Sequence, residues 1–255
     1  MRKREKFLIS SCLLALGLLG TQYVPLDYRM LATALFFFVT YAVSAWALLE
    51  DLSGTEWVTI VPFPAYYAVA VSLFYFLLPE NLLSRIIVLA LFGIGMYAIY
   101  LTANIYSVAK FRTIQLLRAA HAVGFFLNVL IMFFLTNTIF SFHWSFWMNG
   151  LMIALASFPI AFHSIWSIDV KGTVDRSLIY QSLAMSVAMG ELAIAISFVP
   201  TTIWSSSLFI VGSLYAVLGV LVTKLSGRLF QNTVWEYISV WFVIFCAFFI
   251  TLQWK

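Results

Sequence analysis

Residues 86–104 decide the fold. They read Ile-Ile-Val-Leu-Ala-Leu-Phe-Gly-Ile-Gly-Met-Tyr-Ala-Ile-Tyr-Leu-Thr-Ala-Asn, with no charged side chain among them. A helix of this length extends roughly 28 Å, close to the thickness of the hydrocarbon core of a bilayer. Long unbroken apolar runs favour helices over strands, because a backbone in lipid must satisfy its own hydrogen bonds. The stretch therefore predicts a transmembrane helix.

The rest of the chain has the same character. Of its 255 residues, 64% are apolar or aromatic and 9% are charged, whereas soluble domains carry about 25% charged residues. Too few charges are present to cover a water-soluble surface, which excludes a soluble enzyme and a nucleic-acid-binding protein. We predict an all-α, polytopic integral membrane helical bundle. Its expected partners are the lipid bilayer and either other membrane proteins or further copies of the chain, with no nucleic acid.

Charged and turn-forming residues separate nine apolar runs. We predict one transmembrane domain over residues 1–255, without a soluble domain and with about nine spans. The spans are expected near 7–24, 30–49, 58–78, 86–104, 119–140, 146–166, 178–199, 206–224 and 234–252.

The first of these spans has an alternative interpretation as a secretory signal peptide, since a basic start precedes it and Cys12 lies in a cleavage-like context. Five residues separate Lys6 from Cys12, whereas the apolar part of a signal needs roughly 7 to 15. An uncleaved first span is therefore the favoured interpretation.

Lysines and arginines flank the spans unevenly. Basic residues near helix ends tend to stay in the cytoplasm, so the N-terminus is predicted inside and the C-terminus outside. That orientation places Arg2, Lys3, Arg4, Lys6, Lys110, Arg112, Arg118, Lys171, Arg176, Lys224 and Arg228 inside, and Arg29, Arg85 and Lys255 outside. The short loops and the basic start favour a bacterial inner membrane.

Glu191 is the one acidic residue deep within a predicted span. A carboxylate there is costly unless it is protonated, paired or next to water, so its position marks a candidate functional site. Ala184 and Ala188 lie on the same helical face, together with Tyr180, and small residues allow a neighbouring helix to approach. We therefore expect Glu191 to face protein. The alternative role is structural: a neutral Glu191 hydrogen-bonds Asn128 and fixes the bundle.

A second candidate site lies at the predicted cytoplasmic ends of spans five to seven. Arg118, His121, His163 and Gln181 could meet there. Histidine exchanges protons near neutral pH, and an arginine can hold a phosphate or carboxylate. The alternative is that these residues have no joint function and lie at the membrane interface because basic residues are common on the cytoplasmic side. Two histidines are too few for a usual metal site, so we predict no metal and no cofactor.

The two cysteines also lack metal-ligand spacing. Cys12 and Cys246 stand in separate apolar runs, far from any Cys-x-x-Cys pattern. We expect both thiols to pack as buried apolar groups.

Three functions remain open at this point. The first is a small-solute or ion transporter with a site near Glu191 and Asn128. The second is a non-catalytic membrane subunit or scaffold. The third is a membrane-embedded enzyme acting on a lipid-linked substrate at the cytoplasmic cluster. An enzyme is the less favoured class, because the sequence contains no nucleotide-binding, metalloprotease or nucleophile-elbow motif.

Overall fold

The computed structural model describes residues 2–50, 52, 54–79, 81–109, 116–170 and 174–252. Within these ranges the secondary structure is helical and contains no strand, which confirms the all-α prediction. The α-helices are α1 (Lys3–Gln22), α2 (Arg29–Leu48), α3 (Glu56–Thr59), α4 (Pro62–Tyr75), α5 (Leu82–Ala109), α6 (Leu117–Ser141), α7 (Phe146–Asp169), α8 (Arg176–Ile196), α9 (Ile203–Leu225) and α10 (Gln231–Ile250), and a short 3-10 helix covers Leu26–Tyr28.

Eight helical segments of the described chain are long and apolar enough to cross a membrane: α2, α3 together with α4, and each helix from α5 to α10. This set confirms a multi-pass membrane protein. Helix α1 forms where the first span was expected, but its first turns are charged and it falls outside the set. The ninth span and the orientation stay predictions. Four basic residues used for the orientation, Lys110, Arg112, Lys171 and Lys255, lie outside the described residues.

The predicted span 58–78 is interrupted near its start. Helix α3 ends at Thr59, and α4 begins at Pro62. Proline lacks a backbone N–H and clashes with the preceding turn, so Pro62 and Pro64 prevent one continuous helix. Local backbone hydrogen bonds connect the two helices across the interruption. The Ile60 N–H donates to the Glu56 carbonyl at 2.9 Å, and the Phe63 N–H donates to the Ile60 carbonyl at 3.2 Å.

The described residues group into two compact units. Unit 1 contains the described residues up to Leu127, together with Val170, and unit 2 contains 128–169 and the residues from Val174 onward. The boundary falls inside α6. The prediction of a single domain over the whole chain stays a prediction.

Unit 1 is held together by buried aromatic side chains and paired hydroxyl groups. Tyr67 stacks on Phe92 with ring centroids 5.4 Å apart, and its hydroxyl donates to the Leu91 carbonyl at 3.4 Å. The Tyr100 and Ser44 hydroxyls bond each other at 3.0 Å, which joins α5 to α2. Tyr67 and Tyr100 therefore fill this core while their hydroxyl groups are hydrogen-bonded, whereas the buried hydroxyl of Tyr75 has no partner among the described residues.

Unit 2 is packed through small residues. Helices α7 and α8 approach so closely that a Cβ built on Gly190 would lie 2.8 Å from the Gly150 carbonyl oxygen. Helix α10 is mostly exposed and packs against α9, where the Trp241 indole N–H donates to the Ser213 hydroxyl at 3.0 Å. Cys12, on α1, is exposed, so the expectation that its thiol is buried was wrong.

Candidate functional site

Asn128 is a buried residue at the start of unit 2. It lies on α6 with 2% of its surface exposed, and its Nδ2 donates to the Ser164 hydroxyl of α7 at 2.6 Å. Its Oδ1 is buried without a hydrogen-bond partner in the described part of the chain. Buried polar atoms are nearly always hydrogen-bonded, so the amide has one acceptor to offer to a further group.

Two more buried amides lie near the α6–α7 connection. Asn137 is four residues before the end of α6, and Asn149 is three residues after the start of α7. They are 3% and 5% exposed. The Nδ2 of Asn137 and the Oδ1 of Asn149 have no hydrogen-bond partner among the described residues.

Apolar residues separate these polar positions along the two helices. Ile131 and Met132 are fully buried on α6 between Asn128 and Asn137, and Ile153 and Ile160 are fully buried on α7. The buried polar side chains of unit 2 include asparagines, serines, threonines and one histidine, and none within its described residues is an Asp, Glu, Lys or Arg. Its interior therefore suits uncharged hydrogen-bonding groups.

Glu191 does not share that interior. Its side chain is exposed on α8, on one face with Tyr180, Ala184, Ala188 and Ala195, all of which are exposed too. The opposite face of α8 carries Gly190 and packs against α7. No described helix of this chain covers Glu191, because the glycine face and not the alanine face makes the close helix contact. That Glu191 faces protein stays a prediction.

The predicted cytoplasmic cluster is divided between the units. Arg118 and His121 belong to unit 1, where Arg118 is exposed and the His121 ring lies 5.6 Å from that of Tyr106. His163 and Gln181 belong to unit 2. His163 is buried beside Trp166, with ring centroids 6.4 Å apart. A site that unites all four residues stays a prediction.

Gln181, the fourth member of that cluster, is partly exposed on α8. Its Nε2 donates to the Ser177 hydroxyl one turn earlier, at 3.1 Å. This bond is local to the helix and is typical of side chains four residues apart.

Sequence reasoning missed the burial of Glu56. Glu56 begins α3 and is 1% exposed, the one charged side chain among the buried residues that the structure describes. The signal lay in the proline pair that follows it. Because Pro62 and Pro64 can kink a helix, the helical turn before them can point into the protein and not into solvent.

An ion pair lies outside the spans of unit 1. Lys6 of α1 forms a salt bridge with Glu50, which follows α2. The hydrogen bond from Lys6 and its positive charge lower the pKa of the Glu50 carboxyl. Both side chains remain accessible to solvent, so the pair is a surface link between two helix ends.

The sequence matches no protein-family model. Comparison with curated proteins and with solved structures finds no similar chain.

Proposed function

We propose that this multi-pass membrane protein is a small-solute permease. The observation that supports the proposal best is Asn128: it is almost fully buried, it is fixed by Ser164, and it retains an acceptor oxygen without a hydrogen-bond partner in the described chain. A buried amide atom left in this way costs about 1–3 kcal/mol. A polar solute that passes through unit 2 would donate a hydrogen bond to Asn128 Oδ1.

The broken segment between α3 and α4 gives the proposal additional support. Discontinuous transmembrane helices are common in transporters, where interrupted backbone lines a cavity. The interruption at Ile60 and Val61 lies within a stretch that is itself mostly buried. Nothing in this argument requires Glu191, so the transport site is assigned to the amide residues.

Purified protein in proteoliposomes tests this function. Uptake of acetamide, glycerol, sodium and acetate is measured against protein-free vesicles, and at least one solute is expected to enter faster with protein present. Asn128→Leu should slow that uptake by at least about tenfold, since it removes the polar group and keeps the branched four-atom shape of the side chain. Asn232→Leu is the matched control, because Asn232 is exposed on α10. Equal uptake by vesicles with and without protein for every solute contradicts the proposal.

The exposed face of α8 favours a second candidate function, that of a membrane subunit. In lipid, an exposed carboxylate bordered by alanines is stabilised when another transmembrane helix covers it and supplies a hydrogen bond. Glu191→Gln should then weaken co-purification with the covering protein, or self-association, and leave solute uptake unchanged. A monomer without any partner, purified gently from its native membrane, would count against this role.

A further inference from the structure

Unit 1 contains two arginines at the starts of helices. Arg29 is the first residue of α2, and Arg85 lies in the first turn of α5. A cation at the start of a helix opposes the helix dipole, so neither arginine is placed to stabilise its own helix in that way. The orientation predicted from the sequence also puts both on the outer side, where basic residues are less common. Their position therefore needs another explanation.

Both arginines contact the short stretch that follows α1. The Arg29 Nε donates to the Val24 carbonyl at 3.5 Å. The Arg85 guanidinium lies 5.8 Å from the centre of the Tyr23 ring. Because Tyr23 and Val24 are consecutive, this stretch connects the two arginine side chains.

The end of α4 connects them a second time. The Arg29 guanidinium lies 5.0 Å from the centre of the Phe76 ring. Arg85 is near enough to Tyr75, the residue before Phe76, for its positive charge to act on the Tyr75 hydroxyl. Contacts within unit 1, and not spacing along the chain, therefore bring Arg29 and Arg85 together.

The chemistry of these side chains suits an anion. Both Arg29 and Arg85 are partly exposed. A guanidinium has five N–H donors and no acceptor, so its role in a hydrogen bond does not depend on a flip or a tautomer. An aromatic ring covers the flat face of a guanidinium and leaves its edge, where the N–H groups lie, directed at other partners.

We propose that Arg29 and Arg85, which we call the arginine pair, together bind one phosphate group. Guanidinium groups match phosphate oxygens through paired, charge-assisted hydrogen bonds, and a phosphate has enough oxygens to accept from two guanidiniums at once. A lipid headgroup and free phosphate share this chemistry. The inference goes beyond the permease proposal, because the arginine pair belongs to unit 1 and Asn128 belongs to unit 2.

Ligand binding by the intact chain in a neutral detergent tests the arginine pair. The melting temperature is followed while dioctanoyl phosphatidate, dioctanoylglycerol or inorganic phosphate is added, since a ligand that binds the folded state raises the melting temperature in a saturable way. Phosphatidate should do so, whereas dioctanoylglycerol, which lacks the phosphate, should not. An equal saturable effect of inorganic phosphate identifies free phosphate as the ligand, and its absence identifies the lipid headgroup.

Substitutions then locate the binding. Arg29→Gln and Arg85→Gln should each weaken phosphatidate binding at least about tenfold, because each removes charge-assisted hydrogen bonds. Arg29→Lys and Arg85→Lys keep the charge and lose the paired N–H groups, so they should weaken binding less. Arg176→Gln is the matched control and should leave binding unchanged, since Arg176 also begins a helix, α8, and is exposed.

Two acidic residues provide a further check. Asp27 is exposed on the 3-10 helix before Arg29, and Glu80, which precedes Arg85 in the sequence, lies outside the described residues. A carboxylate that pairs with an arginine competes with phosphate. Asp27→Asn and Glu80→Gln should therefore bind phosphatidate at least as tightly as wild type, and a tenfold loss in either would contradict the proposal.

The wild-type protein alone can overturn the proposal. Absence of saturable stabilisation by both phosphatidate and inorganic phosphate, or equal stabilisation by dioctanoylglycerol, removes the phosphate site. An equally large loss in Arg176→Gln removes it too, because the lipid would then respond to positive charge anywhere on the protein.

Discussion

The two units handle buried polar groups differently. In unit 1, tyrosine hydroxyls reach across to partners, as Tyr100 does to Ser44 and Tyr106 does to the Ala120 carbonyl. In unit 2, glycines bring α7 and α8 together, and the buried amides on α6 and α7 keep atoms without hydrogen-bond partners in the described chain. Unit 1 also has buried hydroxyls without hydrogen-bond partners among the described residues, those of Ser10, Thr40 and Tyr75. The contrast is therefore between tyrosines bonded to a neighbouring helix and amides with one atom left unbonded.

The difference follows from side-chain size. A buried tyrosine is long enough to fill space and still place its hydroxyl on a neighbouring helix. An asparagine is short, so its amide reaches only what its own backbone position allows. Close packing through glycines then leaves little room for the rest of unit 2 to adjust toward that amide. The close α7–α8 packing is therefore consistent with amide atoms that have no hydrogen-bond partner in the described chain.

The largest effect is expected where unit 2 depends on that close packing. Gly190→Ala adds a Cβ 2.8 Å from the Gly150 carbonyl oxygen and 2.9 Å from Ala154 Cβ. Because backbone cannot move aside easily, the free energy of unfolding should fall by about 2–3 kcal/mol. Denaturation in mixed detergent micelles measures the change.

Gly20→Ala is the matched control for Gly190→Ala. Gly20 is also helical, and a Cβ there would meet nothing within 4 Å. Alanine is the better helix former by about 0.5–1 kcal/mol, so this variant should be neutral or more stable. If the two substitutions had the same effect, the close α7–α8 contact would not be what holds unit 2 together.

A smaller loss is expected in unit 1 from Tyr100→Phe. The substitution keeps the ring, which stacks on Phe7 at 5.7 Å, and removes the hydroxyl that bonds Ser44. The free energy of unfolding should fall by about 1 kcal/mol, in line with interhelical hydrogen bonds in membrane proteins.

A double-mutant cycle checks that this loss comes from the hydrogen bond. The effects of Tyr100→Phe and Ser44→Ala should be non-additive, because they remove the two ends of one interaction. Tyr28→Phe is the control, since Tyr28 is exposed. Additive losses would show that the hydroxyl pair does not stabilise unit 1, and the contrast between the units would weaken.

The sequence predicted the helices of both units far better than the direction of individual side chains. Span 146–166 corresponds to α7, Phe146–Asp169, and span 86–104 lies within α5, because hydrophobic length in lipid leaves few alternatives. The sequence did not show which face of α8 packs on α7, because α8 has small residues on two sides. The structure packs the face of Gly190 and Ser186 against α7.

The buried amides were identified only in part. Asn128 was named as a possible hydrogen-bond partner of Glu191, and the structure buries it on α6 beside Ser164 instead. Asn137 and Asn149 were overlooked, since asparagines near a connection are typical of turns. Their burial depends on tertiary packing, such as the bond from Asn149 to Ser197 at the end of α8, which hydrophobicity along the chain does not record.

The smallest effect concerns the surface ion pair of unit 1 and its dependence on pH. Lys6 lowers the pKa of Glu50 in the folded state below its ordinary value of 4.5. The carboxylate therefore stabilises the fold fully above that ordinary value, and the contribution disappears as the pH falls through the lowered folded-state pKa. Thermal unfolding of wild type and Glu50→Gln should differ slightly at pH 7 and converge on acidification. Because both groups are solvent-accessible, added salt should reduce the difference at pH 7. A gap that widens toward low pH would mean that Glu50 acts through something other than Lys6.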